Sequence, residues 1–339
     1  MTVDLRSDTV TKPTKAMLEA MVSAEVGDDV FDEDPSAIAF EAKIAAYFGF
    51  DAGLFVPSGV MSNQLALMAQ TQRGEEIIID ELGHIYNYET AAASTLSNIQ
   101  LRPVKGTNGK LTSALISQAI RTQNNWDPIT SMVCIEQTTN KGGGAFYTAK
   151  EIDAISVLTS EKKLLLHIDG ARVWNALHES DTKAQDYGKW ADSMSVCFSK
   201  GLGAPVGSML LSGKAVIQKA RRFRKMIGGG MRQVGLLAAA ADYAVSYHFP
   251  LLAEDHKRAK KFAKAIDKNP NFSIDLGSVH TNIVLFDTLN GISADEALRR
   301  FKEFTIFMVA FGPNTIRATF HHQITDEQLD YIIRHIADF

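Results

Sequence analysis

The sequence predicts an α/β protein with a mostly parallel central sheet flanked by helices, followed by a smaller C-terminal α+β domain. From about residue 50, short apolar runs alternate with helical patterns, from LFV at 54 through EIIID, MVCIE, LLLHID and MSVCF to VGSMLLS at 206. Such runs are typical of strands covered on both faces, and the interposed helices favour parallel crossovers. After about residue 250 the order becomes helix, strand, helix, two strands and a closing helix.

The chain length predicts two domains, because 339 residues exceed what one hydrophobic core usually organises. We place the boundary at Pro250, with a large domain over 1–249 and a small domain over 250–339. Two helices are expected before the sheet. Pro13 suits the first turn of one, and the other runs from a Ser36 cap to a stop at Gly49.

The composition disfavours nucleic acid and membrane partners. The formal net charge is −4, and charges of both signs are interspersed without a basic block. Apolar stretches are broken by charges before they reach the length of a spanning helix, and the N-terminus lacks an apolar secretory segment. Cys134 and Cys197 lie in short apolar runs, which predicts buried, reduced thiols and a cytoplasmic location.

Lys200 lies between an apolar run and a glycine-rich turn in SVCFSKGLGAPVGSML. That position predicts an amine at the carboxyl edge of the sheet, where open α/β sheets bind ligands. A desolvated lysine loses its proton readily and can form a Schiff base with an aldehyde. The alternative is a structural lysine whose ammonium group reaches solvent.

Asp169 ends the aliphatic run of LLLHIDGARVWNA, again at the predicted ligand edge. A buried carboxylate needs a cationic partner, and the protonated ring nitrogen of pyridoxal phosphate is one. An ion pair with Arg172 and a metal-binding aspartate are the alternatives. The sequence near Asp169 offers no second metal ligand at a useful spacing.

A strand, a short turn and a helix are predicted in FVPSGVMSNQLALMAQ. The turn residues Ser58, Gly59 and Val60 would present a hydroxyl and free N–H groups to a phosphate at the helix N-terminus. A plain connection would have a similar sequence. The nucleotide-binding motifs GxxxxGK[ST] and GxGxxG are absent from the chain, which disfavours nucleotide cofactors.

Four further residues are candidates for binding or catalysis. His84, after the EIIID strand, could stack on a cofactor ring and act as a base, or could be a solvated loop histidine. Lys225 and Arg232 flank three glycines in RKMIGGGMRQ, a backbone suited to close approach to a ligand. The alternative is a solvated basic loop. Arg317, within NTIRATF, would bind a carboxylate from either a structural acid or a substrate.

Together these segments resemble the L-threonine aldolases of the pyridoxal-phosphate fold-type-I, or aspartate aminotransferase-like, superfamily. The resemblance covers nearly the whole chain and rests on DLRSDTVTKPTKAMLEAM, VGDDVF, the PSG turn, DGAR, SKGLGAPVGS, GGGMRQ and IRATFHH. It implies a fold-type-I lyase that cleaves threonine or allo-threonine to glycine and an aldehyde.

The resemblance also implies roles for individual residues. Lys200 becomes the Schiff-base lysine, Asp169 the partner of the pyridinium nitrogen, and His84 the histidine stacked on the ring. The remaining implied roles are phosphate binding by Ser58, Gly59 and Val60, and binding of the substrate carboxylate by Ser7, Arg172 and Arg317. Arg232 and Lys225 would reach the cofactor phosphate of a neighbouring subunit, which implies a homodimer with shared active sites, usually within a tetramer.

The sequence departs from this resemblance at several positions. Many relatives carry a histidine before the MVCIE-type strand that contacts the substrate hydroxyl, whereas TQNNWDP has none. Thr139 replaces another histidine, Phe31 a tyrosine and Val60 a threonine. These changes leave open the group that transfers the proton and the preference between threonine and allo-threonine. His84, through a water molecule, is the expected base.

Three alternative functions remain. β-Elimination, racemisation or transamination would use the same lysine and aspartate. A nucleotide- or sugar-phosphate-binding protein would form no Schiff base. A non-catalytic relative would keep the fold alone, but retention of Lys200, Asp169 and Arg317 together argues against it.

Overall fold

The computed structural model describes residues 1–122, 124–337 and 339, so Gln123, within TQNNWDP, lies outside the described residues. The strands are β1 Val3–Asp4, β2 Ala52–Val56, β3 Glu76–Asp80, β4 Gln100–Val104, β5 Thr130–Glu136, β6 Leu165–Gly170, β7 Ser193–Cys197, β8 Ser208–Ser212, β9 Phe272–Ser273, β10 Ile283–Thr288, β11 Ile306–Phe307, β12 Val309–Ala310 and β13 Thr315–Thr319. The α-helices are α1 Lys15–Val22, α2 Pro35–Phe48, α3 Gly59–Gln70, α4 His84–Asn87, α5 Ser113–Ala119, α6 Ala149–Lys162, α7 Val173–Glu179, α8 Tyr187–Trp190, α9 Lys214–Met226, α10 Gly235–Tyr243, α11 Leu252–Asp267, α12 Ala294–Glu303 and α13 Asp326–Ala337.

A seven-stranded sheet forms the centre of the molecule, in the order β2-β8-β7-β6-β5-β3-β4. Pairing is parallel from β7 to β4, whereas β8 runs antiparallel to both β2 and β7. The predicted fold class is therefore confirmed. Because β3, β5, β6 and β7 are parallel, their carboxyl ends meet at one edge of the sheet.

The C-terminal part contains an antiparallel sheet in the order β12-β13-β10-β9, packed with α11, α12 and α13 around a second core. Val3 and Leu5 also pack into this core, and β1 pairs in parallel with β11. A π-helical turn at Ala244–His248 and a 3-10 turn at Phe249–Leu251 connect α10 to α11. The division into 1–249 and 250–339 stays a proposal.

The two N-terminal helices begin at different residues from those predicted. Asp34 caps α2, since its Oδ1 accepts from the Ala37 N–H at 3.0 Å, and Pro35 occupies the first turn. Ser36 is therefore inside the helix, while Gly49 ends it in the left-handed conformation with φ of 77° as predicted. Pro13 precedes α1, which Thr14 caps.

Two smaller expectations concern the cysteines and the membrane. Cys134 and Cys197 are both buried and free, as predicted. Among the described residues, no helix has the length and apolar character needed to span a bilayer.

Candidate active site

Acidic side chains end three neighbouring strands at the carboxyl edge of the central sheet. Asp80 ends β3, Glu136 ends β5, and Asp169 lies next to the end of β6. A small cavity at this edge is lined by these three residues and by His84, at the start of α4. The fold thus brings together His84 and Asp169, which the sequence places 85 positions apart.

Asp169 is buried and accepts hydrogen bonds only from neutral donors among the described residues. Its Oδ2 accepts from Asn63 Nδ2 at 2.9 Å and its Oδ1 from the Ala171 N–H at 3.1 Å. The alternative of an ion pair with Arg172 is wrong, because that guanidinium binds Asp8. The carboxylate therefore has no cationic partner within the described chain.

Asn63, on α3, is oriented by His167. Asn63 Oδ1 lies 3.1 Å from His167 Nε2, and His167 Nδ1 lies 2.8 Å from Ser193 Oγ. Burial lowers the pKa of His167 to about 4 despite the nearby Asp169 charge, so the ring is neutral. An Nε2–H that donates to Asn63 Oδ1 turns the Asn63 amide nitrogen toward the carboxylates.

His84 is paired with a second buried acid, Glu89. His84 Nδ1 lies 3.0 Å from Glu89 Oε1, which also accepts from Asn63 Nδ2 at 2.8 Å, and Gln64 Nε2 donates to Oε2 at 2.6 Å. Burial lowers the pKa of His84, but the bond to Glu89 and the charge of Asp169 outweigh it and leave the pKa raised. An Nδ1–H donated to Glu89 leaves Nε2 as the basic nitrogen.

The same contacts revise the metal alternative for Asp169. His84, Glu89 and Asp169 each present a possible ligand atom within 4.8 Å of the others. The expectation that no second ligand stands near Asp169 is therefore wrong in three dimensions, because α3 and α4 bring the other two groups to it. Both carboxylates already accept amide hydrogen bonds in this arrangement.

Glu136 is a site residue that the sequence analysis missed. Its side chain is buried, and one carboxylate oxygen accepts from the Asn140 N–H at 3.1 Å. Burial and then the charge of Asp169 raise the pKa of Glu136 to about 7. An acid at the exit of an apolar run was the signal that identified Asp169, and MVCIE carries the same signal.

Lys200 and the predicted phosphate turn meet at Cys197. Lys200 Nζ lies 3.5 Å from Cys197 Sγ, and a Cβ added at Gly59 would lie 2.8 Å from the same sulfur. Ser58 caps α3 and accepts from the Met61 N–H at 3.2 Å. With Val60 exposed in its first turn, α3 therefore presents its N-terminus near Lys200, and Asn63 one turn later contacts Asp169.

The two arginines predicted to bind a carboxylate differ in their surroundings. Arg172 forms a two-pronged ion pair with buried Asp8, with both nitrogen–oxygen distances at 2.8 Å. Arg317 donates to Asn140 Oδ1 at 2.6 Å and to the Arg6 carbonyl at 2.8 Å, and no carboxylate contacts it among the described residues. Burial, reinforced by the charge of Arg172, lowers the pKa of Arg317 to about 10.

Ser7 lies in the chain between the groups that contact these two arginines. Ser7 Oγ accepts from the Thr9 N–H at 3.2 Å and caps the 3-10 turn Asp8–Val10. Arg6 contributes its carbonyl to Arg317, and Asp8 its carboxylate to Arg172. The predicted group of Ser7, Arg172 and Arg317 is therefore linked through residues 6–8.

Lys225 and Arg232 lie outside this network. Lys225 is exposed near the end of α9 and lines a cavity of about 250 Å³ together with Arg221 and Arg222. Arg232 Nη1 donates to Asp28 Oδ2 at 2.9 Å. Within the described single chain, neither residue forms a hydrogen bond with Asp169, His84 or Lys200.

Comparison with known proteins identifies the family. The family model of the beta-eliminating lyases matches residues 4–289. A probable low-specificity L-threonine aldolase of Arabidopsis thaliana is 38% identical over 98% of this chain and 95% of its own length. An alanine racemase of Cochliobolus carbonum is 36% identical over 95% of this chain and 83% of its own length.

A solved structure has the same fold. The threonine aldolase of Leishmania major superposes with a TM-score of 0.84 at 21% identity, over 99% of both chains. Because the family match and the relatives above 30% identity extend over most of the sequence, the chain belongs to the beta-eliminating lyase family, whose members depend on pyridoxal phosphate.

Proposed function

We propose that this protein is a pyridoxal-phosphate-dependent aldolase that cleaves L-threonine or L-allo-threonine to glycine and an aldehyde. The observation that carries the proposal is the buried Asp169 carboxylate, which has only neutral donors among the described residues; one of them comes from α3, whose N-terminus lies near Lys200. The relatives named as threonine aldolases support the reaction type.

The residues of the site fit pyridoxal phosphate. Lys200 would hold the aldehyde carbon, Asp169 the ring nitrogen, and Ser58, Gly59 and Val60 the phosphate. Asp169 suits a cationic N–H because its amide donors leave its negative charge uncompensated. When bound, the cofactor supplies an electron sink for the charge that develops at Cα.

Residues on α3 and β6 keep the Asp169 charge in place. His167 fixes the amide of Asn63, and Asn63 in turn donates to both Asp169 and Glu89. A carboxylate held by buried hydrogen bonds cannot turn away from its partner without leaving these donors unsatisfied. Asn63 and His167 are therefore positioning residues for the acid.

Arg317 supplies the binding site for the substrate carboxylate, with Ser7 and Arg172 beside it. Its guanidinium is buried against neutral oxygen acceptors, so an entering carboxylate would form a charge-assisted bond. Arg172 is already neutralised by Asp8, and it contributes mainly by fixing the turn that carries Ser7.

His84 accepts the proton of the β-hydroxyl group, directly or through a water molecule. Glu89 holds the Nδ1 side of the ring, so Nε2 remains available, and the raised pKa of His84 strengthens it as a base. Oriented binding at Arg317 places the bond between Cα and Cβ for cleavage.

The proposal extends to a cytoplasmic homodimer with shared active sites, within a tetramer. Lys225 and Arg232 lie apart from the Asp169 network, which suits residues that serve the cofactor phosphate of a second subunit. Apolar Phe31 and Met226 are 69% and 71% exposed in the single chain. Mixing inactive Lys200→Ala with inactive Lys225→Ala subunits would restore part of the activity if sites are shared, and none if they are not.

The direct test measures aldehyde and glycine from purified protein loaded with pyridoxal phosphate and given each threonine stereoisomer separately. Borohydride reduction followed by peptide mass mapping should locate the cofactor on Lys200. Lys200→Ala should lose both the visible absorbance and cleavage, whereas Lys189→Ala, at an exposed surface lysine, should keep both. A wild-type protein that never acquires visible absorbance would refute the proposal.

Racemisation is the second candidate, because one relative at 36% identity is named an alanine racemase. The same loaded enzyme should be given L-alanine, and D-alanine measured by chiral chromatography. Faster formation of D-alanine than of aldehyde from threonine would favour racemisation over aldol cleavage.

A further inference from the structure

The backbone turn after Lys200 is held by side chains from three distant parts of the chain. The carbonyls of residues 200, 201 and 202 accept, in that order, from Thr11 Oγ1 at 3.0 Å, His322 Nδ1 at 3.0 Å and His248 Nδ1 at 2.7 Å. Three consecutive carbonyls each have a side-chain donor, although a turn of this kind could leave them to water.

The two histidines belong to different elements and meet over this turn. His248 ends the π-helical turn between α10 and α11, and His322 follows β13 of the C-terminal sheet. Their ring centroids are 4.9 Å apart. At Gly203, with φ of +80°, an added Cβ would lie 2.6 Å from His322 Cε1, so only glycine allows the ring this close to the backbone.

Both imidazoles must donate from Nδ1, because a carbonyl oxygen can only accept. His322 Nε2 is buried and has no hydrogen-bond partner among the described residues, which suits the neutral tautomer with its proton on Nδ1. Burial lowers the pKa of His322 to about 4, and His248 and His321 add to the effect. His322 therefore remains a neutral donor near neutral pH.

We propose that His248 and His322 are positioning residues that fix the turn after Lys200 and so set where its amine can react. The inference rests on the proposed role of Lys200 in holding the cofactor. Neither ring forms a hydrogen bond with Lys200 Nζ, and both act through the backbone carbonyls of Gly201 and Leu202. Since His322 follows the last strand of the C-terminal sheet, the contact also links that sheet to the turn after the reactive lysine.

The test compares His322→Leu with His322→Asn in the cofactor-loaded enzyme. Asparagine can place an amide nitrogen close to the position of Nδ1, whereas leucine fills the space without a donor. We expect His322→Leu to lower kcat about tenfold, the factor given by a lost net hydrogen bond, with KM changed less than about twofold. His322→Asn should restore most of kcat, and His248 should give the same pattern.

A second readout is independent of turnover. Amide hydrogen exchange of the peptide covering residues 198–207 should accelerate about tenfold in the leucine variants and return toward the wild-type rate in the asparagine variants. His335→Leu is the matched control, because His335 stacks on Phe304 in the C-terminal part of the chain and contacts nothing in this turn.

Two results would overturn the positioning role. One is unchanged kcat and exchange in both leucine variants. The other is faster exchange throughout the protein with a lower unfolding midpoint, which would make the histidines merely structural. A wild-type protein that binds no cofactor would instead refute the proposed function, and the exchange measurement would still decide whether the histidines hold the turn.

Discussion

The two ends of the candidate site carry opposite charge imbalances. At the Asp169 end, four buried carboxylates lie together, those of Asp80, Glu89, Glu136 and Asp169, with His84 beside them. At the other end, Arg317 is 7% exposed, its hydrogen-bond acceptors among the described residues are neutral oxygen atoms, and its guanidinium lies over the Phe311 ring. Burying unpaired charge costs folding free energy, so each end lowers the stability of the ligand-free protein.

This difference indicates what the site binds. A ligand assembly that is cationic at one end and anionic at the other would neutralise both imbalances at once. A protonated pyridine ring next to Asp169 and an amino-acid carboxylate next to Arg317 have this distribution. Arg172 provides the internal contrast, because it is equally buried but already paired with Asp8.

The largest expected effect comes from neutralising the acidic end. Asp169→Asn keeps the size of the side chain but removes the charge that holds the ring nitrogen protonated. We expect kcat to fall about 10²- to 10⁴-fold, the range for breaking a buried charge pair. Steady-state cleavage of threonine by fully loaded enzyme measures it.

Asp153→Asn, at an exposed position, is the control for the substitution itself and should leave kcat unchanged. A loss smaller than about tenfold in Asp169→Asn would mean that the ring nitrogen does not depend on this acid.

The next effect concerns proton transfer by His84. His84→Phe preserves a ring that can stack on the cofactor but removes the nitrogen, so cofactor affinity should hold while kcat falls about 10²- to 10³-fold. Glu89→Gln should lower kcat less, because the neutral amide holds the proton on His84 Nδ1 less firmly than the carboxylate does. Cofactor titration and initial rates separate binding from catalysis.

Retention of activity within about a few-fold in His84→Asn would show that another group takes the hydroxyl proton, since a general base contributes about 10²- to 10⁴-fold. Glu136 would then be the next candidate, because it lines the same cavity.

Replacing Arg317 and replacing Arg172, the two buried arginines of the site, should give contrasting results. Arg317→Leu should lower kcat/KM about 30- to 1000-fold by removing the partner of the substrate carboxylate. It should lower the free energy of unfolding by no more than about 1 kcal/mol, because removal of an unpaired buried charge offsets the loss of two hydrogen bonds to neutral oxygens. Arg172→Leu leaves buried Asp8 without its cation and should cost about 3–5 kcal/mol of stability.

Denaturant unfolding of both variants and binding of two matched ligands measure these effects. Arg317→Leu should weaken binding of threonine but leave binding of the corresponding amino alcohol, which lacks the carboxylate, nearly unchanged. Equal weakening of both ligands would show that Arg317 does not recognise the carboxylate.

Local patterns in the sequence predicted the parts of the fold and site that depend on neighbouring residues. The strands of the central sheet, the cap at Gly49 and the acid at the end of β6 were identified because apolar runs and their exits are local signals, whereas the two-residue strands β1 and β9 were not predicted. The pairing of Asp8 with Arg172 joins residues 164 positions apart, and no spacing in the sequence indicates it. Ser36 was predicted to cap α2, but Asp34 does so, because both residue types cap helices and only the folded backbone distinguishes them.

The smallest expected effect is on the pH dependence of stability through Glu136. Its pKa of about 7 in the folded protein lies above the ordinary value of 4.5, so the folded state holds a proton that the unfolded chain releases at lower pH. Stability should therefore be lost as the pH rises from about 4.5 toward 7, by about 2 kcal/mol between pH 5.5 and 7.5 for cofactor-free protein.

Glu136→Gln keeps an oxygen acceptor for the Asn140 N–H and should abolish this loss. Urea unfolding of both proteins at the two pH values measures the difference, and parallel pH profiles would place the titrating group elsewhere. Loading with pyridoxal phosphate should also flatten the wild-type profile, because a cation close to Glu136 favours its charged form.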